Sequence, residues 1–377
     1  MGKNILITGG AGFIGSNLSI ALLARGYKVR VLDNLSEQIH GEDSGESYLF
    51  KSIEGKVEFF KGDVRSAEDW RQAIEGQDVV VHLAAETGTG QSMYEVNKYV
   101  DVNIKGTAIL LDILANENHQ VKKVVVASSR AIYGEGKYLC KIHGDVYPLS
   151  RFESDMSKGD FEPKCPKCKE AVELSATDEN SMLHPSSIYG ITKQNQEQMV
   201  LVGCQSSGVD SVALRYQNVY GPGQSLSNPY TGILSIFSTR IFNGNKINIF
   251  EDGLESRDFV YIDDVVSATI LSIESEEASG KAYNVGSGER ITVAEVAENL
   301  IRNYNMEVEL VVSGNYRLGD IRHNYADLKR VSEIGFEPKV FFNEGIKRFT
   351  NWVKTQEIEK DKYESSVQEL KEKGLYK

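Results

Sequence analysis

A tyrosine and a lysine four residues apart are the strongest chemical signal in the sequence. On a helix, Tyr189 and Lys193 lie one turn apart on the same face. A phenol, with an ordinary pKa near ~10, becomes a base at neutral pH when an ammonium and a cationic nicotinamide lower that pKa. The spacing alone is weak evidence, because three other pairs share it: Tyr94/Lys98, Tyr133/Lys137 and Tyr325/Lys329.

Sequence context singles out Tyr189. Its predicted helix, residues 187–203, follows the fifth predicted strand, whose end carries Ser128 and Ser129. A hydroxyl at the carboxyl end of a parallel strand points into the cleft where a cofactor binds. We therefore predict that Ser129, Tyr189 and Lys193 are catalytic, taking a proton from an alcohol while a hydride passes to a nicotinamide. The alternative is that Tyr189 and Lys193 are ordinary residues on a helix surface.

A glycine-rich run, Thr8-Gly9-Gly10-Ala11-Gly12-Phe13-Ile14-Gly15, follows the first predicted strand. Its glycines allow a tight turn, and the helix that starts there offers N–H groups and a positive dipole end to a pyrophosphate. Asp33 ends the second predicted strand, 18 residues after Gly15. A carboxylate there accepts hydrogen bonds from the adenosine ribose hydroxyls and repels a 2′-phosphate, which favours NAD over NADP. The alternative is a glycine-rich turn in an unrelated α/β fold.

Segments in which apolar residues follow a strand pattern alternate along the chain with segments in which they follow a helical pattern. Strand patterns are predicted at residues 4–8, 28–33, 57–61, 78–83, 123–128 and 211–215. Helical patterns fall between and after them, at residues 14–25, 68–75, 94–117 and 187–203. This alternation is typical of an α/β fold with a doubly wound parallel sheet of the Rossmann type. The 377 residues exceed the ~250–300 at which one core stops growing, so a smaller C-terminal substrate-binding domain is also expected.

The domain boundaries are predicted where this pattern breaks and returns. The break holds three of the seven prolines and three of the four cysteines, as an insertion would. The expected parts are 1–136 (first part of the Rossmann domain), 137–180 (zinc-binding insertion), 181–220 (second Rossmann part with the catalytic helix), 221–354 (mainly substrate-binding, with 257–285 returning to the Rossmann sheet) and 355–377 (charged C-terminal tail). The Lys- and Glu-rich stretch 356–373 is interpreted as a solvated or frayed helix.

The net charge of the chain limits the classes of molecule that it is expected to bind. There are 42 basic and 54 acidic residues, so the net charge is −12, which disfavours binding to nucleic acid or anionic lipid. No apolar run reaches the ~18–20 residues of a membrane span. The N-terminus enters a strand directly, without a secretory signal. We expect a cytoplasmic protein that binds neither nucleic acid nor membrane.

Two short pairs of potential metal ligands lie in the insertion. Cys140-x-x-His143 precedes Cys165-Pro166-Lys167-Cys168, with 21 residues between the pairs. This arrangement predicts a tetrahedral zinc site whose four protein ligands leave no open position, so the metal is structural. Binding no metal and a nucleic-acid knuckle are the alternatives, the second in conflict with the acidic charge. Cys204 is interpreted as a small buried apolar residue.

Further motifs extend this pattern from residue 1 to about 350. They are Asp33-Asn34, Gly62-Asp63-Val64, His82-Leu83-Ala84-Ala85, Asn103-x-x-Gly106-Thr107, Ser128-Ser129-x-x-x-Tyr133-Gly134, Arg215-Tyr216-x-Asn218-Val219-Tyr220-Gly221-Pro222-Gly223 and Arg257-Asp258-Phe259-Val260-x-x-Asp263-Asp264. With the glycine run and the Tyr189/Lys193 pair, they resemble the extended short-chain dehydrogenase/reductases, specifically the nucleotide-sugar epimerases and dehydratases.

The resemblance implies two sets of binding residues. The cofactor NAD would be held by Gly9, Gly12, Phe13, Ile14, Gly15, Asp33, Asn34, Asp63, Val64, Leu83, Ala84, Ala85, Asn103, Tyr189 and Lys193. The nucleotide-diphosphate sugar would be held by Gln91, Ser92, Ser129, Arg130, Asn218, Phe250, Arg257 and Arg317. Arginines suit a diphosphate because they bind it bidentately, although Arg317 or Arg322 could instead form a surface ion pair.

The resemblance also narrows the reaction. Dehydratases of this family carry an acid pair directly after the catalytic Ser or Thr, where this chain has Arg130 and Ala131. The implied activity is an NAD-dependent 4-epimerase of a dTDP- or UDP-hexose, which oxidises C4 to a 4-keto sugar and returns the hydride to the opposite face. The alternatives are a 4-dehydrogenase/reductase or decarboxylase of the same family and a non-enzymatic NAD(H)-sensing module.

Two further features narrow the resemblance. The interval from Ser129 to Tyr189 is about twice the usual one, and the insertion accounts for the excess. This insertion, with Gln91-Ser92-Met93-Tyr94 and Asn228-Pro229-Tyr230-Thr231-Gly232, resembles a bacterial subgroup of dTDP-L-rhamnose 4-epimerases. The resemblance further implies a homodimer, in which the helices at 94–117 and 187–203 form a four-helix interface with their symmetry mates.

Overall fold

A computed structural model of the chain describes residues 2–226, 228, 232–358 and 361–377, so part of the 228–232 motif lies outside the described residues. The strands are β1 (Asn4–Thr8), β2 (Lys28–Asp33), β3 (Glu58–Lys61), β4 (Val79–His82), β5 (Lys123–Ser129), β6 (Tyr138–Cys140), β7 (Gly144–Val146), β8 (Glu173–Leu174), β9 (Asp210–Tyr216), β10 (Asn218–Tyr220), β11 (Ile247–Ile249), β12 (Ser256–Arg257), β13 (Phe259–Tyr261), β14 (Lys281–Val285), β15 (Ile291–Thr292), β16 (Leu310–Val312) and β17 (His323–Asn324).

The α-helices follow the same chain order. They are α1 (Phe13–Ala24), α2 (Glu37–His40), α3 (Tyr48–Ile53), α4 (Ala67–Ile74), α5 (Thr89–Ser92), α6 (Val96–Tyr99), α7 (Gly106–Asn116), α8 (Glu153–Met156), α9 (Ile188–Ser206), α10 (Ile233–Phe242), α11 (Ile262–Glu274), α12 (Val293–Tyr304), α13 (Lys329–Glu333), α14 (Phe342–Val353) and α15 (Tyr363–Glu372). Two 3₁₀ helices cover Ser44–Glu46 and Arg130–Tyr133, and a π-helix covers Val100–Lys105.

A seven-stranded parallel sheet forms the centre of the molecule, in the order β14-β9-β5-β4-β1-β2-β3. Side chains alternate between its two faces. Ile5 and Ile7 of β1 belong to the core that includes residues of α1 and α11, whereas Leu6 belongs to a core with Trp70 of α4 and Leu110 of α7. Helices therefore cover both faces, which explains the nearly continuous apolar strands and confirms the predicted doubly wound parallel sheet.

The helix predicted at 94–117 is three segments in one continuous rod. The α6 helix runs into the π-helix Val100–Lys105, and α7 continues from there. A π-helical turn changes which side chains face inward, and such turns are frequent at functional sites. It carries Asn103, whose side chain is fully buried.

The cysteine-bearing insertion forms a small three-stranded antiparallel sheet, in the order β7-β6-β8. Its buried apolar cluster consists of Tyr138, Cys140, Val146 and Cys165, with a few half-buried neighbours. A core this small contributes little apolar burial, so the sheet needs another source of order.

The C-terminal stretch differs from the expected solvated or frayed helix. One face of α15 is buried through Tyr363, Val367 and Leu370, whose spacing forms a helical stripe among the Lys and Glu residues. The buried Arg240 of α10 donates to the carboxylates of Asp361 (3.1 Å) and Glu364 (3.0 Å) and lies over the ring of Tyr363. Helices of the described residues are all too short or too polar to cross a membrane.

A buried ion pair joins α9 to the sheet. Arg215 of β9 donates from Nε to the Glu197 carboxylate of α9 (3.0 Å) and from Nη1 to the Tyr133 hydroxyl (2.7 Å). Glu197 also accepts from the Ser128 hydroxyl at the end of β5, and Tyr133 donates to Asn284 of β14 (2.8 Å). The pair thus connects the helix with three neighbouring strands of the sheet.

Removing the positive charge of this pair is expected to destabilise the protein. Arg215→Met leaves the Glu197 carboxylate buried without its cation, so the free energy of unfolding should fall by about 3–5 kcal/mol. The matched control is Arg71→Met, which removes an exposed ion pair with Glu117 (2.9 Å) and should cost less than about 1 kcal/mol. Urea unfolding measures both, and equal costs for the two variants would contradict the prediction.

Candidate active site

The start of α9 positions the predicted base. The hydroxyl of Ser187 precedes the helix and accepts a hydrogen bond from the Gly190 N–H (3.1 Å), which caps the first turn. The N–H of Tyr189 donates to the hydroxyl of Ser92 (3.0 Å), so α5 holds this turn from the other side. Tyr189 and Lys193 consequently lie one turn apart on α9, at fixed positions.

The structure brings the Ser129 and Tyr189 side chains together. Ser129 ends β5, and its hydroxyl accepts from the N–H of Ala131 (3.1 Å). Burial raises the pKa of the Tyr189 phenol, whereas a hydrogen bond with Ser129 and the charge of Arg130 lower it. The groups that favour the phenolate in this structure are therefore Ser129 and Arg130.

Lys193 makes a different contact from the one expected. Its ammonium donates to Oε1 of Gln196 (2.8 Å), and burial lowers the pKa of Lys193 to about 7, although the charge of Glu197 opposes this shift. The sequence predicts that Lys193 and a cationic nicotinamide lower the pKa of Tyr189, and this stays a prediction; the charge of Arg130 also lowers that pKa. The Lys193 ammonium is directed toward the side-chain amide of Gln196, its neighbour on the next turn.

A chain of buried polar groups continues from this lysine. Gln196 donates to the hydroxyl of Thr107 (2.9 Å), which pairs with Nε2 of His82 (3.0 Å), and Nδ1 of His82 pairs with the hydroxyl of Thr8 (2.8 Å). Burial and the charge of Lys193 lower the pKa of His82 to about 3, so the imidazole is neutral. The sequence patterns predicted no separate role for Gln196, Thr107 or His82. The signal available was that Gln196 lies three positions after Lys193, on the same helix face.

The glycine run has the shape of a phosphate-binding turn. Gly9 has a φ of 66°, and a Cβ on Gly15 would lie 2.4 Å from the Gly9 carbonyl oxygen, so both positions require glycine. Gly12 precedes α1, and no side chain caps that helix. Phe13 and Ile14 open the first turn. The backbone N–H groups there suit the pyrophosphate of a dinucleotide.

Asp33 stands beside this turn. Its Oδ2 accepts from the Ala11 N–H (3.0 Å) and its Oδ1 accepts from the Leu35 N–H (2.8 Å), which fixes the carboxylate against the glycine run. Each oxygen retains a second lone pair, so both can accept from ribose hydroxyls. On the other side of the turn, a Cβ on Gly9 would come within 2.9 Å of the Ala84 backbone, so the 83–85 segment approaches it closely.

Other predicted cofactor residues have protein partners. Asp63 binds Arg65 (2.7 Å) and accepts from Asn34 (3.3 Å), and hydrogen bonds from Arg65 hold the pKa of Asp63 at about 2. Val64 is buried, and a Cβ on Gly106 would lie 2.9 Å from its side chain. This ion pair keeps Asp63 charged at the end of β3.

Asn103 connects two elements of the site. Its side chain accepts from the N–H of Glu86 (2.7 Å) and donates to the Glu86 carbonyl (3.1 Å) and the Thr192 hydroxyl (3.0 Å). The amide thus ties the segment after Ala85 to α9. In this structure Asn103 positions neighbouring backbone.

Two of the predicted substrate-binding residues are hydrogen-bonded to each other. The Arg130 Nε donates to Oδ1 of Asn218 (2.6 Å), and burial and the charge of Arg257 lower the pKa of Arg130 to about 9. Arg257 donates to the carbonyls of Ile321 (2.7 Å) and Arg322 (2.9 Å). The charge of Arg130 therefore acts on the phenol of the candidate base, and Arg257 lies close enough to Arg130 for their charges to interact.

The remaining predicted substrate residues fall at the edge of this cluster. Arg317 lies over the Phe250 ring, with 4.6 Å between the guanidinium carbon and the ring centroid. Gln91 pairs with Gln38 (3.1 Å), and Ser92 caps the start of α9, so both side chains are engaged within the protein. A small cavity of about 30 Å³ lies beside Arg317 and is lined also by Gly90, Met93, Ser186, Ser187, Leu370 and others.

Arg322 is no surface residue. Its guanidinium is fully buried and binds the carboxylates of Glu162 (2.7 Å), Glu251 (2.9 Å) and Asp252 (2.8 Å). The alternative of a surface ion pair is therefore wrong for Arg322. Since Glu162 belongs to the insertion, the network joins the insertion to the smaller domain.

Cys140, His143, Cys165 and Cys168 converge in the insertion, with all four ligand atoms within 4.8 Å of one another. The distance is 3.7 Å between the sulfurs of Cys140 and Cys168, and 3.6 and 3.5 Å from Nδ1 of His143 to the sulfurs of Cys140 and Cys165. A zinc tetrahedron with the usual bond lengths has S···S edges of about 3.8 Å and S···N edges of about 3.6 Å. These distances exceed a disulfide bond, and they fit one metal ion.

The surroundings of the Cys165 sulfur favour its thiolate form. Burial raises the pKa of this thiol, but hydrogen bonds from the backbone N–H groups of Cys168 and Lys167 lower it, and the net result is about 6. Amide groups directed at a cysteine sulfur stabilise its negative charge, which a metal ligand needs.

Comparison with known proteins places this fold and site in one family. The model of the NAD-dependent epimerase/dehydratase family matches residues 5–158 and 159–286. The dTDP-L-rhamnose 4-epimerase of Burkholderia thailandensis is 34% identical over 362 residues, covering 95% of this chain and 97% of that protein. The chain belongs to the NAD-dependent epimerase/dehydratase family.

Two solved structures have the same architecture. The UDP-glucose 4-epimerase of Thermotoga maritima, solved with UDP-glucose, superposes with a TM-score of 0.74 at 30% identity, over 93% of this chain and 98% of that one. The UDP-glucose 4-epimerase of Thermus thermophilus, in complex with NAD, superposes with a TM-score of 0.73 at 29% identity, over 94% of this chain and 100% of that one.

The residue after Ser129 differs from the one that the dehydratases of this family carry there. Where the dehydratases of this epimerase/dehydratase family carry acids, this chain places Arg130 against Asn218, and its charge acts on Tyr189. A guanidinium cannot serve as the acid that a dehydration requires. The position after Ser129 therefore holds a cation where the resemblance implies the acid of a dehydratase.

The carboxylate of Asp33 is expected to decide the choice of dinucleotide. Asp33→Asn keeps the shape of the side chain and removes the charge that repels a 2′-phosphate. The preference for NAD over NADP should shrink by about tenfold, or about 1.4 kcal/mol, as measured by the dissociation constants of both cofactors. Asp43→Asn, at an exposed position, should leave the ratio unchanged. Tighter binding of NADP than of NAD by the unmodified protein would contradict the prediction.

Proposed function

We propose that the protein is an NAD-dependent nucleotide-sugar 4-epimerase acting on a dTDP- or UDP-hexose. The observation that carries the proposal is the hydrogen-bonded pair of Ser129 and Tyr189, together with the glycine run and Asp33 on the same sheet. The glycine turn and the Asp33 carboxylate fit the pyrophosphate and ribose of NAD. The similarity to 4-epimerases of dTDP-rhamnose and UDP-glucose supports this substrate class.

The residues of the chain have distinct tasks in this activity. The glycine run and Asp33 would hold NAD, which would supply the acceptor for the C4 hydride and its return to the opposite face of the sugar. Tyr189 takes the proton of the C4 hydroxyl and later returns it, and Ser129 shares a hydrogen bond with the same oxygen. The positive charge of Arg130 stabilises the phenolate form of Tyr189. Arg257 and Arg317 hold the diphosphate while the sugar turns.

Loss of the phenol is expected to abolish most of the activity. Tyr189→Phe keeps the ring and removes the group that accepts the proton, so kcat should fall by about 10²–10⁴ while NAD binding persists. The control Tyr325→Phe alters another tyrosine with the same spacing to a lysine and should keep kcat. Initial rates on a panel of UDP-, dTDP-, GDP- and CDP-sugars measure the effect and identify the substrate. A Tyr189→Phe enzyme with unchanged kcat would rule out this base.

Solvent deuterium separates hydride transfer from carbanion chemistry. In the proposed reaction the C4 hydrogen never exchanges with water, so product formed in D₂O should carry no deuterium at C4. Deuterium at the inverted carbon would show that Tyr189 acts in a different reaction.

We also propose that Cys140, His143, Cys165 and Cys168 bind one structural zinc ion. The near-tetrahedral distances among the four atoms support this, and the small core of the insertion explains the need for a metal. Four protein ligands leave no position for substrate, so the metal has no part in the chemistry. The thiols must stay reduced to bind it, from which we infer a cytoplasmic location.

Metal analysis tests the zinc site directly. Protein purified without chelator should contain about one zinc per chain. The double variant Cys165→Ser/Cys168→Ser should lose the zinc and unfold at a lower temperature, because the insertion loses its cross-link. Cys204→Ala removes the cysteine outside the cluster and should keep the zinc. Absence of zinc in the unmodified protein, or an unchanged melting temperature in the double variant, would exclude the site.

We further propose a homodimer built on α9 and the rod formed by α6, the π-helix and α7. Several apolar side chains on these elements are exposed: Val96, Val100, Ile191 and Val202, the last at 67%. A two-fold axis beside them would bury these residues in a four-helix interface. Light scattering at micromolar concentration should give the mass of two chains.

A charge in this face is expected to separate the subunits. Val202→Glu should reduce the mass to that of one chain, because the carboxylate loses its water in the interface. Leu254→Glu, at an exposed apolar position outside α9, should leave the dimer intact. A monomeric unmodified protein would refute the dimer.

A further inference from the structure

The end of the chain pairs with the segment that carries Arg317. The N–H of Tyr316 donates to the Lys377 carbonyl (3.1 Å), and the Lys377 N–H donates back to Tyr316 (3.0 Å). The N–H of Leu318 donates to the Leu375 carbonyl (3.1 Å). Residues 375–377 thus form a short antiparallel pair with residues 316–318, in which Arg317 lies opposite Tyr376.

Tyr376 completes a stack of side chains at this point. Its ring meets the Phe250 ring edge-on, with centroids 5.4 Å apart, and Phe250 in turn lies under the Arg317 guanidinium. The Tyr376 hydroxyl accepts from the side-chain amides of Asn315 (2.8 Å) and Asn248 (3.4 Å). Backbone pairing and this stack together hold the Arg317 side chain from two directions.

Arg317 has donor capacity left for a ligand. Its Nε is buried and has no hydrogen-bond partner among the described residues of the protein. A buried donor without a partner costs about 1–3 kcal/mol, which a ligand oxygen can recover. Arg317 also lines the cavity next to the start of α9.

The C-terminal helix closes the outer side of that cavity. Leu370 of α15 and Leu375 line it opposite Gly90 and Met93, which belong to the α5 region of the Rossmann domain. The ammonium of Lys373 lies 5.6 Å from the Tyr94 ring centroid in the same region. The segment 361–377 therefore contacts both sides of the cleft, and the buried Arg240 anchors it through Asp361.

We propose that Leu370, Leu375 and Tyr376 of the C-terminal segment are part of the substrate site, in which Tyr376 positions Arg317 for the diphosphate of the nucleotide sugar. Leu370 and Leu375 form the outer wall of the same site. This inference rests on the proposed function, in which Arg317 holds the substrate. Tyr376 is a positioning residue, because it acts on the ligand through Phe250 and Arg317.

The test measures nucleotide binding to the NAD-loaded protein, which needs no turnover. Calorimetry first measures the dissociation constants of dTDP and UDP for the unmodified protein. For the nucleotide that binds more tightly, Tyr376→Ala should raise the dissociation constant by about tenfold or more, which corresponds to about 1.4 kcal/mol. In turnover, KM for the nucleotide sugar should rise by a similar factor while kcat changes less than about twofold, since the proton-transfer groups are untouched. Tyr376→Phe keeps the ring and should restore most of the binding. Gln368→Ala, at an exposed position of α15, is the matched control and should bind as the unmodified protein does.

A double-mutant cycle decides whether Tyr376 acts through Arg317. Arg317→Ala should weaken nucleotide binding, and adding Tyr376→Ala should weaken it no further, because the positioned group is already gone. Additive losses would show that Tyr376 acts independently of Arg317 and would overturn the inference. So would unchanged binding by Tyr376→Ala when Arg317→Ala binds weakly.

Failure of the proposed function has a different signature. If Arg317→Ala binds dTDP and UDP normally, the substrate role of Arg317 is wrong, and the inference is overturned with it. If the unmodified protein binds these nucleotides but epimerises none of the sugar panel, the reaction is wrong while the C-terminal site stands. Melting temperatures of all variants in NAD identify any loss of binding that comes from unfolding, and Tyr376→Phe then provides the deciding comparison.

Discussion

The buried pair of Arg215 and Glu197 determines the geometry of the active site. Removing two charges from water is costly, and the cost is offset only where the remaining donors and acceptors have partners. Here Ser128, Tyr133 and the Glu179 carbonyl provide them. Because these partners lie on β5, on the 3₁₀ turn after it and at the end of the insertion, the pair fixes α9 against the sheet. Ser129 follows Ser128 directly in the chain, and Tyr189 lies about two turns before Glu197 on α9, so this packing brings Ser129 and Tyr189 together.

A second buried cation connects the insertion with the smaller domain. Arg322 binds Glu162 from the insertion and Glu251 and Asp252 from the smaller domain, and its own N–H donates to Glu135 (2.7 Å). Glu162 lies three residues before Cys165, a ligand of the proposed zinc. The backbone carbonyls of Ile321 and Arg322 bind Arg257. Order in the insertion is thus linked to the segment that holds the Arg257 guanidinium.

The C-terminal segment also contributes to the arrangement of the site, through its contacts near Arg317. Its apolar stripe packs inward, while the Lys and Glu residues between remain in solvent, so a strongly charged helix still contributes a wall. The segment holds Arg317 through two contacts: the backbone pairing with residues 316–318, and the stack of Phe250 and Tyr376. An anchor for a diphosphate must stay in place while the sugar turns, and a side chain held on two sides meets that need.

Sequence by itself determined the parallel sheet, the glycine turn with Asp33, the helix bearing Tyr189 and Lys193, and the four clustered ligands of the insertion. Local spacing suffices for these, because a helical turn, a strand end or a Cys-x-x-Cys knuckle is defined within a few residues. Tertiary structure decided the rest: the charge of Arg130 acts on the phenol, Arg322 is buried among carboxylates, and two leucines of the charged tail line the cavity beside Arg317. Each of these depends on which distant groups face one another after folding, since the position of a charge relative to its partners and to solvent is set by packing between elements far apart in the chain.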